Sequence, residues 1–455
     1  MTRALLALLA ALPLAAAAAE PPITLDEALA LAGRDSHELA IARADAGLAG
    51  ADALTAFAGL LPRLDFTTSA GRQLFGRTQG IQLVPTVDPV TGAVSFQQQP
   101  ATVAATSYEA YSLGLKLVQP LVSLPTWRQQ AQARASERAA ARSYDETRLT
   151  VAFDVTRRFY ELVRAGRSLV VLEKAARRSE ELVERSDALY AAGRAQKADT
   201  FAARVNLGND RIAVEQARAR LALARADLAT SLGRPGDADV QVLAPAGLEG
   251  PLAAAAVPPP LPELLATARA RRPAVAAAAA QIEAAEAALG AARAAYLPTL
   301  QAELSYGRNG QQLVGQDGVY GDPSRQYAAT AQVVLAWNLF AGRATEAAEQ
   351  RARLGADKTR AGAARTLDGV ARELAGARET VVTQARQVGL AAENLGAAEQ
   401  GLALARQRLE AGLASQLEVR DATLKLTQAE LSLVQARIDH AVAAADLNRA
   451  VGGAL

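Results

Sequence analysis

"YLPTLQAELSYGR" (residues 296–308) follows a long alanine-rich stretch that reads as helix, and it breaks that pattern abruptly. Leu297-Pro298 stops the helix, because proline has no N–H to donate and its ring disfavours helix in the residue before it. The residues that follow alternate apolar and polar, as a strand does. The same event occurs at "LLPRLDFTTSAGR" (60–72), with Pro62 for Pro298 and Gly71-Arg72 for Gly307-Arg308. One chain converts helix to strand twice, in nearly the same words.

Working outward, residues 25–72 align without a gap to 261–308, Leu25 with Leu261, Leu29 with Leu265 and Leu39 with Val275. "LKLVQPLVS" (115–123) matches "VVLAWNLFA" (333–341), and "YAAGRAQKADTFAARVNL" (190–207) matches "LEAGLASQLEVRDATLKL" (409–426). The chain is therefore a duplication. Each copy reads helix, strand, polar loop, strand, very long helix, glycine turn, helix. The first copy covers 20–233, with strands at about 63–75 and 108–119 and a helical hairpin at about 126–232. The second covers 261–455, with strands at about 299–308 and 326–338 and a hairpin at about 343–450. A Pro- and Gly-rich linker, 234–260, joins them through "VPPPLP".

Leu64, Phe66, Thr68 and Ala70 share one strand face, opposite Asp65, Thr67 and Ser69. Tyr111, Leu113, Leu115 and Leu117, then Leu300, Leu304 and Tyr306, then Val333, Leu335 and Trp337, repeat that phase. Alternation alone fits a half-buried soluble sheet equally well. Aromatic placement favours a membrane sheet. About 13 of the aromatic residues (two Trp, nine Tyr and eight Phe in all) fall within 57–127 and 296–340, where interfacial girdles are expected. The intervening segments, about 76–107 and 308–325, read as long polar loops. A sheet in lipid must close, and small barrels begin at about eight strands. Four strands per chain therefore require several chains.

From about Trp127 to Ala192 and from about Arg343 to Ala411 there is no proline. Helices of about 65 residues reach roughly 100 Å, the scale of a periplasm-spanning element. On the last helix, Leu417, Leu424, Leu431 and Ile438 recur every seventh residue, as do Leu426, Leu433, His440 and Leu447. The first copy has Val205 with Ile212, and Leu207, Val214, Leu221 and Leu228. Seven-residue repeats make coiled-coil seams, and two seams two residues apart point to opposite sides, about 200° around the helix. A solid bundle would also show apolar residues all round. Between the seams, however, stand Gln416, Arg420, Lys425, Gln428, Glu430, Gln435 and Asp439, which favours a curved wall of helices.

Composition excludes much else. Half the residues are hydrophobic, yet only 4% are aromatic and much of the rest is alanine, which suits closely packed long helices. A net charge of +2 gives no field for nucleic acid. With no cysteine and two histidines, thiolate chemistry, disulfides and nearly every transition-metal site are excluded, so no metal or cofactor is expected. His440 lies on an apolar heptad and reads as packed, and His37 as a surface residue. No Ser-His-Asp arrangement or glycine-rich phosphate loop is present, so no enzyme is expected. "MTRALLALLAALPLAAAAAE" reads as a signal peptide, residues 1–19, with Arg3, an apolar run too short to span, and Ala17-Ala18-Ala19 as the cleavage site.

The duplicated junctions "GADALTAFAGLLPRL" and "ALGAARAAYLPTL", with "RRPAV", "WNLFAGR", "AAGRAQKAD" and "EAGLASQLEVRDAT", together resemble the outer-membrane efflux protein (TolC-like) family. The resemblance covers essentially the whole exported chain. It implies a mainly α fold with a membrane β-barrel portion, a homotrimer whose twelve-stranded barrel sits in outer-membrane lipid above a long α-helical barrel in the periplasm. It also implies a periplasmic adaptor (membrane fusion protein) and an inner-membrane transporter of RND, ABC or MFS type as partners, in multidrug efflux or type I secretion. The tips at Gly193-Arg194 and Gly412-Leu413 match the adaptor-contacting turns, and Pro62 and Pro298 the helix–strand junctions. Glu418 and Asp421 fall on the family's acidic gate positions, with Asp199 on that of the first hairpin. Ser415 and Glu418 also form a capping-box pattern. Leu409 and Ala414 stand where a TolC-like closed tip uses a tyrosine and an arginine. The alternative is a periplasmic adaptor or coiled-coil protein of an export complex, which carries a single hairpin where this chain has two. The cargo is not legible.

Overall fold

A computed structural model describes residues 21–74, 78–103, 107–194, 196–245, 248, 258–315, 318–320 and 327–453. The expected signal peptide (1–19) and most of the later part of the linker lie outside the described residues. In the first copy, α1 (Leu25–Asp35) and α2 (His37–Ala58) lead to β1 (Arg63–Gln73), β2 (Thr78–Val87), β3 (Val94–Val103) and β4 (Tyr108–Val122). The hairpin α3 (Leu124–Ala191) and α4 (Lys197–Ser231) follows. The second copy runs α5 (Leu261–Arg271), α6 (Pro273–Ala294), β5 (Thr299–Gly310), β6 (Tyr327–Ala336), α7 (Ala344–Glu410) and α8 (Gln416–Val451).

The duplication is visible in the element lengths. Helices α1 and α5 are both 11 residues, and α2 and α6 both 22. The starts use different chemistry. Thr24 caps α1 by accepting from Glu27 N–H while Glu27 reaches back to Thr24 N–H (2.7 Å), whereas α5 begins on Pro260 with a second proline just inside.

The structure departs from the expected polar loop at 76–107. Residues there form an antiparallel hairpin of β2 and β3, pairing Leu83 with Gln98 and Val87 with Val94. Its alternation is diluted by Gln and Pro, which hid it. Asp88 shapes the turn by accepting from Val90 N–H (2.8 Å), and Gly92 closes it at φ +66°, where a Cβ would be strained.

The chain divides into two compact units, each drawing on both copies: residues 51–135 with 283–357, and the remainder. The first unit holds an antiparallel sheet in the order β1-β4-β5-β6. Its register sets Phe66 against Leu115 and Leu115 against Tyr306, so the apolar positions of the four strands share one face. That face is not covered: Leu64 is 66% exposed, Phe66 59% and Val333 64%. The other face is polar. Lys116 pairs with Glu303 at 3.3 Å, Gln332 donates to Glu303 at 3.0 Å, and the Ser69 and Ser112 hydroxyls meet at 2.7 Å. At the helix-proximal end, Trp337 Nε1 donates to the Tyr296 carbonyl (3.0 Å) and both rings remain exposed. Among the described residues, the outer edges of β1 and β6 have no strand partner. No described helix is long and apolar enough to cross a membrane, which says nothing of the sheet.

The second unit is helical. Three ion pairs zip α3 to α4, Asp187–Arg204, Glu180–Arg211 and Glu173–Arg218, each seven residues from the next on both helices. Helices α7 and α8 instead join through apolar clusters, Val388 and Ala391 with Leu433 and Ala436, and Leu402 and Ala405 with Val419 and Leu426. One seam of each returning helix is filled from within the chain (Val214, Leu228; Leu426, Leu433), while Val205, Ile212, Leu417 and Leu424 stay exposed. Phe159, Leu228, Leu232 and Ile438 form the largest core cluster. The early part of the 234–260 linker joins that core: Val240 is buried, and Val242 bridges to Ile23 beside α1.

A charged cluster ties α5 and α6 to the long helices. Buried Arg272 pairs with Glu373 (2.6 Å) and Glu146 (3.1 Å), and Arg449 also reaches Glu373. Burial pushes the Glu373 carboxyl up, but bonds and charges from Arg272 and Arg449 outweigh it and hold the group below its ordinary value. Its stabilisation is therefore present above the unfolded-state pKa, about 4.3, and is lost as pH falls through the lower folded-state value. Glu373→Gln is expected to reduce unfolding free energy by about 2 kcal/mol at neutral pH. The deficit should shrink under acid, measured by urea unfolding across pH; a pH-independent deficit would reject this assignment.

Candidate functional site

The hairpin tips are built by glycine. Helix α3 ends with Gly193 at φ +71° and an Arg194 N–H bond to the Leu189 carbonyl (2.8 Å). Helix α7 ends identically, with Gly412 at φ +74° and Leu413 N–H on the Arg408 carbonyl (2.8 Å). Both are Schellman closures, which need a left-handed residue at that position. Arg194 is exposed, and Leu413 is 71% exposed at the second tip.

Glu418 sits in the first turn of α8, its N–H donating to Ser415 Oγ (3.3 Å). Only that arm of the capping box expected from the sequence is present. The Glu418 carboxylate accepts instead from Arg408 of α7 at 2.6 Å, a bond in which both partners are charged. Asp421, one turn on, pairs with Lys425 at 2.7 Å and remains mostly exposed. The two acids share a groove of about 600 Å³ between α7 and α8, floored by small residues such as Gly401 and Ala405. Asp199 is placed differently: its carboxylate turns back to the Gln196 N–H at the start of α4 (3.3 Å). Among the described residues no hydrogen bond or ion pair joins it to Glu418 or Asp421.

The link between the two hairpins is a feature that sequence reading missed. Arg420, 8% exposed, donates to Asp210 of α4 (2.7 and 3.1 Å) and to Ser179 of α3 (2.8 Å). Below it, Arg178 pairs with Glu430 (2.9 Å) and Arg164 with Asp439 (3.3 Å). Arg420, Glu430 and Asp439, the polar residues between the seams, form the α3-facing side of α8. The available signal was an arginine next to the buried Val419 of the apolar stripe. Leu409 and Ala414, both partly buried, do not join this cluster.

The sequence matches the outer membrane efflux protein family over residues 28–234 and 264–453, the two copies of the duplication. Among solved structures, the chain is similar to the outer membrane channel CmeC of Campylobacter jejuni (18% identity, TM-score 0.77, covering 94% of this chain and 85% of that one). It is similar also to the outer membrane protein VceC of Vibrio cholerae (19%, TM-score 0.75, 94% and 96%). A third is the MtrE outer membrane channel of Neisseria gonorrhoeae in its open state (19%, TM-score 0.76, 94% and 89%). No curated protein matches the sequence. These structures share the fold, and the family match spans both copies. The chain belongs to the outer membrane efflux protein family, and it is an efflux channel of the outer membrane.

Proposed function

We propose that three copies of this chain close a twelve-stranded barrel in outer-membrane lipid and a helical duct beneath it. The duct passively conducts substrates delivered by an inner-membrane transporter through a periplasmic adaptor. The observation that carries this reading is the open four-stranded sheet, apolar and exposed on one face, polar on the other, with β1 and β6 unpaired at its edges. Unpaired strand edges are not tolerated in hydrocarbon, and four strands are too few to close. Twelve strands from three copies, β1 of each beside β6 of the next, satisfy every edge.

In this assembly the tips at Gly193-Arg194 and Gly412-Leu413 face the adaptor. Glu418 and Asp421, three residues apart and so on one helical face, repeat around the threefold axis as two acidic rings, with Asp199 on the first hairpin contributing charge nearby. Arg408 and Lys425 partly offset the two rings within each chain. Rings of carboxylates favour cations in a pore. With Leu409 and Ala414 unable to tie the tip, the hairpins are held together by Arg420, Asp210 and Ser179.

Native mass measurement in detergent is expected to give three chains, and a stable monomer would refute the shared barrel. Asp421→Ala is expected to lower cation preference and weaken block by multivalent cations in planar bilayers. Unchanged selectivity would leave Asp421 as a partner of Lys425 alone.

A further inference from the structure

We propose that α2 of one copy recognises α7 of the next through complementary seven-residue ladders, so that this chain carries its own code for head-to-tail assembly. The inference rests on the trimeric reading above and names the contact that specifies it.

On α2, Glu38, Asp45 and Asp52 recur every seventh residue and all three are exposed. Between them stand Ile41 and Leu48, each 64% exposed. Such residues three and four apart line one helical face. A large apolar and acidic stripe thus lies open on a helix whose other side holds the buried Leu39 and Ala53.

Helix α7 carries the opposite pattern. Arg351, Lys358, Arg365 and Arg372 recur every seventh residue and are exposed. Beside them, at the same spacing, run Gly355, Gly362, Gly369 and Gly376, and a Cβ added at any of these four would meet nothing within 4 Å. Glycine weakens a helix relative to alanine, in a chain that uses alanine freely. Among the described residues, no close packing against an added Cβ calls for these four notches. Asp368 is the acid beside this stretch and Leu354 its exposed apolar residue, and the row of cations ends at Glu379, seven residues after Arg372. Among the described residues, none of the three acids on α2 or the four cations on α7 forms an ion pair.

Chain direction makes the two stripes compatible. Helix α2 runs into β1, one edge of the sheet, and α7 leaves β6, the other edge. Pairing β1 with the β6 of a second copy brings these helices side by side and antiparallel. If Asp45 then faces Lys358, the shared spacing sets Asp52 against Arg351 and Glu38 against Arg365. In the same register Ile41 falls opposite Gly362 and Leu48 opposite Gly355, side chain into notch. A slip of one heptad preserves every type of contact, with Leu48 moved to Gly362. A slip of four residues one way or three the other sets acids against glycines, and other slips set Asp45 opposite neither a cation nor a glycine of the row. The pattern therefore fits a second copy, not a partner of unrelated charge spacing.

The chain has no cysteine, so engineered disulfides have no background. Leu48→Cys combined with Gly355→Cys or with Gly362→Cys is expected to give cross-linked dimers and trimers on oxidation in membranes. Arg43→Cys with Gly355→Cys, off the proposed face, should not. Asp45→Lys is expected to raise the concentration at which the detergent-solubilised trimer dissociates by about fivefold per interface, the scale of one exposed ion pair. Adding Lys358→Glu should restore it in the stated register, and adding Arg365→Glu alone should restore it in the register one heptad on. A wild-type trimer that forms neither cross-link, or cross-links that appear only when an adaptor is added, would overturn the ladder while leaving the trimer intact. A monomeric wild type would instead overturn the trimeric reading.

Discussion

A sheet edge immersed in hydrocarbon has no water to satisfy its outward N–H and C=O groups, and each one left unpaired costs several kcal/mol. Strands β1 and β6 present two such edges on a sheet whose apolar face is already bare. That single unmet requirement organises the rest of the protein. It dictates a closed assembly of identical sheets, and it explains why the polar face carries a bonded lane from Lys116 through Glu303 to Gln332. A polar lane of that kind is stable against a wet lumen and would be unsatisfied against lipid.

Much of this was legible because it is local. The Leu-Pro junctions, the period of two in the strands and the period of seven in the helices depend on neighbours within a few residues. The duplication then supplies each element twice, so the sequences of β1 and β5 align without a gap. Where a strand was harder to read, proline was the cause. Strand β4 continues to Val122 through Pro120, with an irregularity between Pro120 and Val122, whereas the sequence suggested an end near 119. The β2–β3 hairpin was missed because Gln97-Gln98-Gln99 and two prolines dilute its alternation.

The candidate site was legible in its turns and not in its bonds. Gly193 and Gly412 announce left-handed closures by composition alone. The pairing of Glu418 was not foreseeable, since Ser415 offers a plausible cap and only folding brings Arg408 within 2.6 Å. Arg420 and Glu430 show the same limit. Periodicity states which side of a helix a residue occupies, but the neighbour on that side comes from a segment more than two hundred residues away. Glu146, Arg272 and Glu373 are likewise brought together from α3, the α5–α6 junction and α7.

The two hairpins, though copies of one plan, are mechanically unlike. Sliding α3 along α4 by one residue would displace all three of their ion pairs at once. Helices α7 and α8 meet near Glu418 through aliphatic contacts and an open groove, with the Arg408–Glu418 pair as the ion pair across that end. The second hairpin thus holds this end by one charged contact, where the first spreads three in register along its length.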